Sequence, residues 1–444
     1  MSTPKTPLYD GILEHNKKNR SSFHTPGHKN GRFLASFDLY KTDLTELTDT
    51  DALYEADGII LEAERAAARL FGTAKTCFSA GGCTLCIQAM LRLVCPQGGK
   101  MLFGRTVHRS AVHAMALLGI EPVWVLPRDD AGEGLPGRVA CENVKEIVAR
   151  QPDIRGVYLT TPDYYGCLTD LSDLRRFLDG KNIPLVLDCA HGSHLFFLEE
   201  TSSYTSQAAM AACSAHKTLP VLTGGAFLHI YKERFASGAK EAMALFGSTS
   251  PAYPVLASLD VGRALLEQSG APLFEKLRER VARIKDMLRQ WGFRQPQGFV
   301  DPVRLTLSAM DLGYTGEELA QHLRTQGVEP EYADRLWMTL IPTIMNEERD
   351  FEKLEHALRS LAPRPPLTVR TEHAVLPDVA MTPRQALLSP QEKIPVEQAV
   401  GRIAADAHCP CPPGVPVVMA GEVIDRRIQG FLLESGNCFV NVIK

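Results

Sequence analysis

The sequence predicts an α/β fold built on a mainly parallel sheet, and three observations carry that expectation. Short apolar runs recur between about residues 70 and 235: VWVL (123–126), VYLTT (157–161), PLVLD (184–188), MAAC (210–213) and AFLHI (226–230). Between them lie stretches of helical length: LCIQAMLRLV, residues 108–118, ENVKEIVAR and LSDLRRFLDG. Strands buried on both faces read as continuous apolar runs, and parallel neighbours need a helical crossover between them. The last two runs are joined by a loop alone, which leaves room for an antiparallel strand.

A second unit begins near Trp291. VRLTLSA reads as a strand; Thr315 and Glu318 then form a capping-box pattern that opens the helix EELAQHLRTQ, stopped by Gly327. WMTLIPTI and the helix NEERDFEKLEHALRSL complete a small α+β unit. The proline-rich APRPPLTVR (362–370) reads as a linker, followed by a third segment from Met381 to Lys444. The expected organisation is an N-terminal arm (1–45), a large domain (46–290), a small α+β domain (291–362), and a linker with a C-terminal domain (363–444).

Composition narrows the function classes. The chain has 444 residues, a net charge of −4 and 45% hydrophobic residues, which suits a globular protein of two or three domains. Its Lys and Arg residues are dispersed, so nucleic-acid binding is not expected. The polar start MSTPKTPLYDGILEHNKKNR and the lack of an apolar run of spanning length point to a cytoplasmic protein without a membrane partner. Its 11 cysteines are an odd number; Cys77, Cys95, Cys189 and Cys213 lie in apolar stretches, as reduced core thiols do.

The stretch SAHKT (214–218) directly follows the apolar run AAMAAC. Burial lowers the pKa of a lysine, and a neutral amine condenses with carbonyls, above all with the aldehyde of pyridoxal phosphate (PLP). Lys217 is therefore the candidate nucleophile. A PLP site also needs a phosphate cradle, an acid for the pyridine nitrogen and a group on the ring face. Gly82, Cys83 and Thr84 open a helix after a strand, where backbone N–H groups and the helix dipole favour an anion. Asp188 ends an apolar strand, where a carboxylate needs a partner such as a pyridinium N–H. His191, three residues on, is placed to bond a phenolic oxygen, and His108 stands at a further strand-to-helix junction. Two metal readings compete: CTLC as a CxxC pair, and His191 with His194. The first lacks a second pair and the second an obvious third ligand, so no metal is expected.

These residues resemble, in order along nearly the whole chain, the Orn/Lys/Arg decarboxylases, PLP enzymes of fold type I with an aspartate aminotransferase-like large domain. FHTPGHKNG resembles the family's TPGHKGG signature, GGCT its phosphate loop, GRTVHRS its stacking-histidine segment and DCAHGSH its Asp-x-Ala-His element. SAHKTLPVLTGGAFLHI resembles the PLP-lysine motif, and the tail from PVEQAVGRIAADAH onward is similar to the C-terminal domain with its YPPG and PGE patterns. The resemblance implies a seven-stranded-type sheet, a Schiff base on Lys217, and phosphate contacts from Ser214, His216, Cys83 and Thr84. It also implies that Asp188 keeps the pyridine nitrogen protonated, that His108 stacks on the ring and that Ala190 packs on its other face. Glu422 would then meet a cationic substrate tail. Four positions depart from the pattern: Cys83 for a hydroxyl residue, Cys411 for the tyrosine of YPPG, Ala420 for the proline of PGE, and Gly224 for glutamine.

The implied reaction is decarboxylation of arginine, lysine or ornithine to a polyamine-type amine and CO2, in a homodimer or larger homo-oligomer. Alternatives are another fold type I reaction (aminotransfer, acyl-CoA condensation or aldol cleavage) and a non-catalytic decarboxylase-like sensor. An oxidoreductase is disfavoured, since no GxGxxG follows a strand.

Overall fold

The computed structural model of the chain describes residues 17, 18, 20–29, 31, 32, 39–368, 376–408 and 416–444. Its strands in chain order are β1 (Ser21–Phe23), β2 (Lys75–Ser79), β3 (Gly99–Gly104), β4 (Ile120–Val125), β5 (Val157–Thr160), β6 (Leu185–Asp188), β7 (Met210–Cys213) and β8 (Ala226–Ile230). Then come β9 (Leu305–Leu307), β10 (Val328–Pro330), β11 (Tyr332–Ala333), β12 (Met338–Leu340), β13 (Gln391–Pro395) and β14 (Phe439–Ile443).

Seven strands form one sheet in the order β2-β8-β7-β6-β5-β3-β4. Strand β8 runs antiparallel to both neighbours, and the pairs β7–β6, β6–β5, β5–β3 and β3–β4 are parallel. The loop-joined final pair is thus the antiparallel one. Strands β5 to β8 bury nearly every residue, so LVLD and MAAC are core on both faces. Pro122 is tolerated in β4 because that strand lies at the sheet edge, where a missing N–H costs no ladder bond.

Helices cover the sheet. Gly82–Val94 buries Leu85, Ile87, Met90 and Leu91, each side chain contributing about 1.5–3 kcal/mol if fully removed from water. A 38-residue helix, Tyr253–Gln290, leads away from the sheet toward the small unit. There β11, β12 and β9 form an antiparallel sheet, and the helix Gly316–Thr325 starts on the expected Thr315–Glu318 capping box. The N-terminal β1 pairs in parallel with β10, Ser21 opposite Val328. The C-terminal segment pairs β13 with β14 over its own core of Val396, Val418, Ile424 and Ile428.

Candidate active site

Every candidate side chain of the large sheet follows the carboxyl end of a strand, the edge at which open α/β sheets bind ligands. At the end of β2, Ser79 Oγ accepts the Gly81 N–H (3.1 Å) and donates to Gly82 O (3.0 Å), folding the chain into a tight turn. Gly82 has φ +67°, and a Cβ there would meet only Gly224 O, at 3.9 Å. The helix Gly82–Val94 starts here with no side-chain cap, so its first amides lack a side-chain acceptor. Thr84 is exposed beside them, whereas Cys83 is buried. Burial, with Asp188 nearby, raises the Cys83 thiol well above its ordinary pKa.

The loop after β3 places His108 as the N-cap of helix Arg109–Leu118, its Nδ1 accepting the Ser110 N–H at 3.2 Å. Accepting there puts the proton of the neutral ring on Nε2. The ring is exposed on its outer side, yet desolvation lowers its pKa, opposed by the charge of Asp188.

Asp188 closes β6 and is 2% exposed. Tyr158 Oη donates to its Oδ2 (3.0 Å) and the Ala190 N–H to its Oδ1 (3.2 Å). Each oxygen keeps a lone pair for a further donor. Ala190 is half-buried beside it.

Strand β7 delivers Ser214, buried, and the single-turn helix Ala215–Thr218 that carries His216 and Lys217. His216 Nδ1 bonds Gly225 O at 2.9 Å, so that nitrogen is the donor. Lys217 is half-buried, with Nζ 2.8 Å from His191 Nε2. Desolvation lowers the lysine pKa, and Asp188 pulls it back up. His191 itself is buried and pushed well below the ordinary histidine value by desolvation and by the neighbouring Lys217. Its ring stands edge-on to Tyr164, centroids 4.7 Å apart. His194 faces away from this cluster, bonded to Asp301 at 3.0 Å.

Three more residues join the site from outside the large sheet. Glu331, between β10 and β11, accepts from Tyr164 Oη and from the Thr25 N–H, both at 2.8 Å. Gly27 N–H donates to His216 O at 2.7 Å, which seats the HTPGH segment on the lysine turn. Arg304, just before β9, reaches His191 O at 3.1 Å. Neither Glu331 nor Arg304 carried a functional signal in the sequence. The signal available for Tyr158 was its place in VYLTT, the strand beside that of Asp188.

The comparisons with known proteins agree with this geometry. The model of the Orn/Lys/Arg decarboxylase major domain matches residues 6–295, and that of the C-terminal domain matches residues 368–439. The chain belongs to the Orn/Lys/Arg decarboxylase family. This decarboxylase is 33% identical to the uncharacterized protein YaaO of Bacillus subtilis, over 95% of its own length and 92% of that protein. It is 32% identical to the arginine decarboxylase of Bacillus cereus, over 95% of its length and 97% of that enzyme. Among solved structures, the constitutive lysine decarboxylase of E. coli superposes with a TM-score of 0.78 at 21% identity, covering 99% of this chain and 82% of that one. The fold is that of the fold type I PLP enzymes.

Orn/Lys/Arg decarboxylases depend on PLP, and the donor set of this decarboxylase fits it. An amine of lowered pKa, a buried carboxylate with free lone pairs and an uncapped helix start with an open glycine follow three strands of one sheet, β7, β6 and β2.

One expectation needs correction. Glu422 is not free to meet a substrate cation: its two oxygens each lie 2.6 Å from a nitrogen of Arg105, and its Oε2 also accepts the Met419 N–H at 2.7 Å. Its charge is matched, and its side chain is 2% exposed. Gly224 has φ +98° and accepts the Gly82 N–H at 2.8 Å, a backbone role that disfavours a side chain such as glutamine. Ala420 is buried, and Cys411 lies outside the described residues.

Proposed function

We propose that this basic amino acid decarboxylase acts on L-arginine, releasing CO2 and leaving agmatine, with Lys217 and Asp188 as its central catalytic pair. The observation that carries the reading is the placement of Lys217, Asp188 and His191 on two adjacent strand ends. Arginine is preferred over lysine because relatives called arginine decarboxylase are 30–32% identical, against 24% for the constitutive lysine decarboxylase of E. coli.

PLP, when bound, supplies an electron sink for the pair left behind as the bond from Cα to the carboxylate breaks. Asp188 holds a proton on the pyridine nitrogen, itself fixed by Tyr158 Oη and the Ala190 N–H. Lys217 Nζ would provide the amine that anchors the cofactor, and as an ammonium it could supply a proton to Cα. Thr84, Ser214 and His216, with Gly82, Cys83 and the first helical amides, would hold the phosphate. His108 and Ala190 would pack against the ring, and His191, already 2.8 Å from Lys217 Nζ, would serve the lysine and the phenolic oxygen. The carboxylate that turns toward the cleft from the small unit is Glu331, half-buried and already bonded by Tyr164 and Thr25; it is a better candidate than Glu422 for attracting a cationic side chain.

A cytoplasmic homodimer fits the same reading. Among the described residues no helix is long and apolar enough to cross a membrane. Leu39, Tyr40, Leu44, Leu47 and Ile59 expose large apolar side chains, Tyr40 at 89%, the kind of patch a partner copy covers.

The test is an absorbance spectrum of the purified protein with PLP, followed by CO2 release with arginine, lysine and ornithine in turn. A Schiff-base band absent in Lys217→Ala, with CO2 from arginine first, is the expected result. CO2 from lysine or ornithine alone would reassign the substrate. A band without CO2 would move the protein to another PLP reaction or to a sensor.

A further inference from the structure

The contact between Lys217 Nζ and His191 Nε2 can be made in two ways. Either the lysine is an ammonium donating to a bare Nε2, or Nε2 carries a proton and donates to a free amine. The hydrogen on His191 decides, and its other nitrogen is held by a group whose role is fixed. Arg304 Nη1 lies 3.5 Å from His191 Nδ1, and Nη2 donates to His191 O at 3.1 Å. A guanidinium has five donors and no acceptor. A proton on Nδ1 would therefore point at another N–H, while a bare Nδ1 receives one.

Arg304 cannot turn aside. It is 3% exposed; Nη1 also reaches Tyr164 O at 3.4 Å, and Nε lies 3.8 Å from Asp301 Oδ2. Gly166 packs on its stem so closely that a Cβ there would come within 2.7 Å of Arg304 Cγ. Nor is a doubly protonated His191 favoured, since the Arg304 guanidinium beside Nδ1 would repel it.

We propose that Arg304 is a positioning residue that fixes His191 as its Nε2–H tautomer, so that Lys217 meets the ring as a free amine accepting a hydrogen bond. This deepens the reading of Lys217 as the cofactor-anchoring amine and rests on it. The groups facing the amine are Asp188 and Glu331, which favour its charge, the neutral Cys83 thiol, and Arg304, which opposes it; His191 faces Lys217, Arg304, His108 and His216. Burial moves both toward their neutral forms, in the same sense as the geometry. The chain thus keeps its nucleophile unprotonated without any general base taking a proton away.

The test is magic-angle-spinning NMR of the full-length, cofactor-free protein with ¹⁵N-labelled histidine, His191 being assigned by its loss in His191→Gln. Near neutral pH, His191 is expected to show a bare, pyridine-type Nδ1 and a protonated, pyrrole-type Nε2. Arg304→Met should mix or reverse the two, and Arg304→Lys, which keeps a donor-only cation, should restore them. The pH profile of PLP uptake is the second readout. In Arg304→Met its inflection should move to higher pH, slowing uptake near neutral pH about tenfold for each unit moved, whereas a merely structural loss would lower uptake equally at every pH. A protonated Nδ1 in the unaltered protein, or an unchanged tautomer in a folded Arg304→Met, overturns the proposal. Neither readout uses an amino-acid substrate, so a wrong substrate assignment would leave both results unaltered.

Discussion

Arg105 and Glu422 stand 317 positions apart, yet two guanidinium nitrogens meet two carboxylate oxygens at 2.6 Å, with side-chain exposures of 1% and 2%. The pair ties the C-terminal segment to the loop that carries His108, three residues beyond Arg105. Removing one partner leaves an uncompensated buried charge, which costs about 3–5 kcal/mol. Arg105→Met and Glu422→Leu should each lower the unfolding midpoint sharply. The double variant should recover most of the loss, because two apolar groups leave no orphan charge. A double variant no better than the singles, in denaturant titrations of all four proteins, would contradict this account.

Asp188→Asn removes the negative charge but keeps the shape. The amide can still accept from Tyr158 Oη or the Ala190 N–H, so the fold should persist. Cofactor should still bind through Lys217. Losing one preorganised charge of this type costs about 10²- to 10³-fold in rate, and kcat for CO2 release should fall by at least that much. An unchanged kcat would remove Asp188 from the mechanism.

Gly27→Ala probes the N-terminal segment. A Cβ at Gly27 would lie 2.5 Å from Leu219 O and 2.9 Å from Thr218 C, both backbone atoms of the lysine turn. Backbone has little room to yield, and overpacking of this kind costs about 1–3 kcal/mol. The Gly27 bond to His216 O should weaken, and PLP should leave faster on dialysis, measured as decay of its absorbance. Retention equal to that of the unaltered protein would show that the segment does not brace the lysine.

Asp163 sets a pH dependence. It is buried, its Oδ2 has no hydrogen-bond partner among the described residues, and desolvation raises its pKa from 3.8 to about 6. An acid that binds its proton more tightly when folded adds most stability below its unfolded pKa. That contribution falls as pH rises from 3.8 to about 6 and stays low above. Asp163→Asn should therefore stabilise the protein by about 3 kcal/mol at pH 8 and by little at pH 4. Equal shifts in melting temperature at both pH values would rule out ionisation of Asp163 as the cause.

Lys217 and Asp188 were legible in the sequence because each stands at or just past the end of an apolar run that gives way to polar or small residues, a local pattern set by strand burial; His108 and the glycine turn were legible as junctions that open helices. The antiparallel β8 was legible for the same reason: too few residues separate it from β7 for a crossover. Strands β2 and β3 were visible only as junctions, since KTCFS and GKMLFG mix polar and apolar residues. The partners of the site residues were not legible. Arg304 and Glu331 come from the small unit, and Glu422 read alone looks like a free loop carboxylate until Arg105 is placed against it. Pairings of that kind depend on tertiary contact, which no local spacing encodes.

The pairing of β1 with β10 has a consequence for how the protein is made. Ser21 leaves the ribosome early, but its partner Val328 follows only after 307 further residues (328 − 21). At roughly 5–20 residues per second, the first strand waits about 15–60 s without a ladder to join. Lys217 spends part of that interval without the HTPGH segment locked over it. The reactive centre is therefore a late product of synthesis, closed only when β1 has met β10.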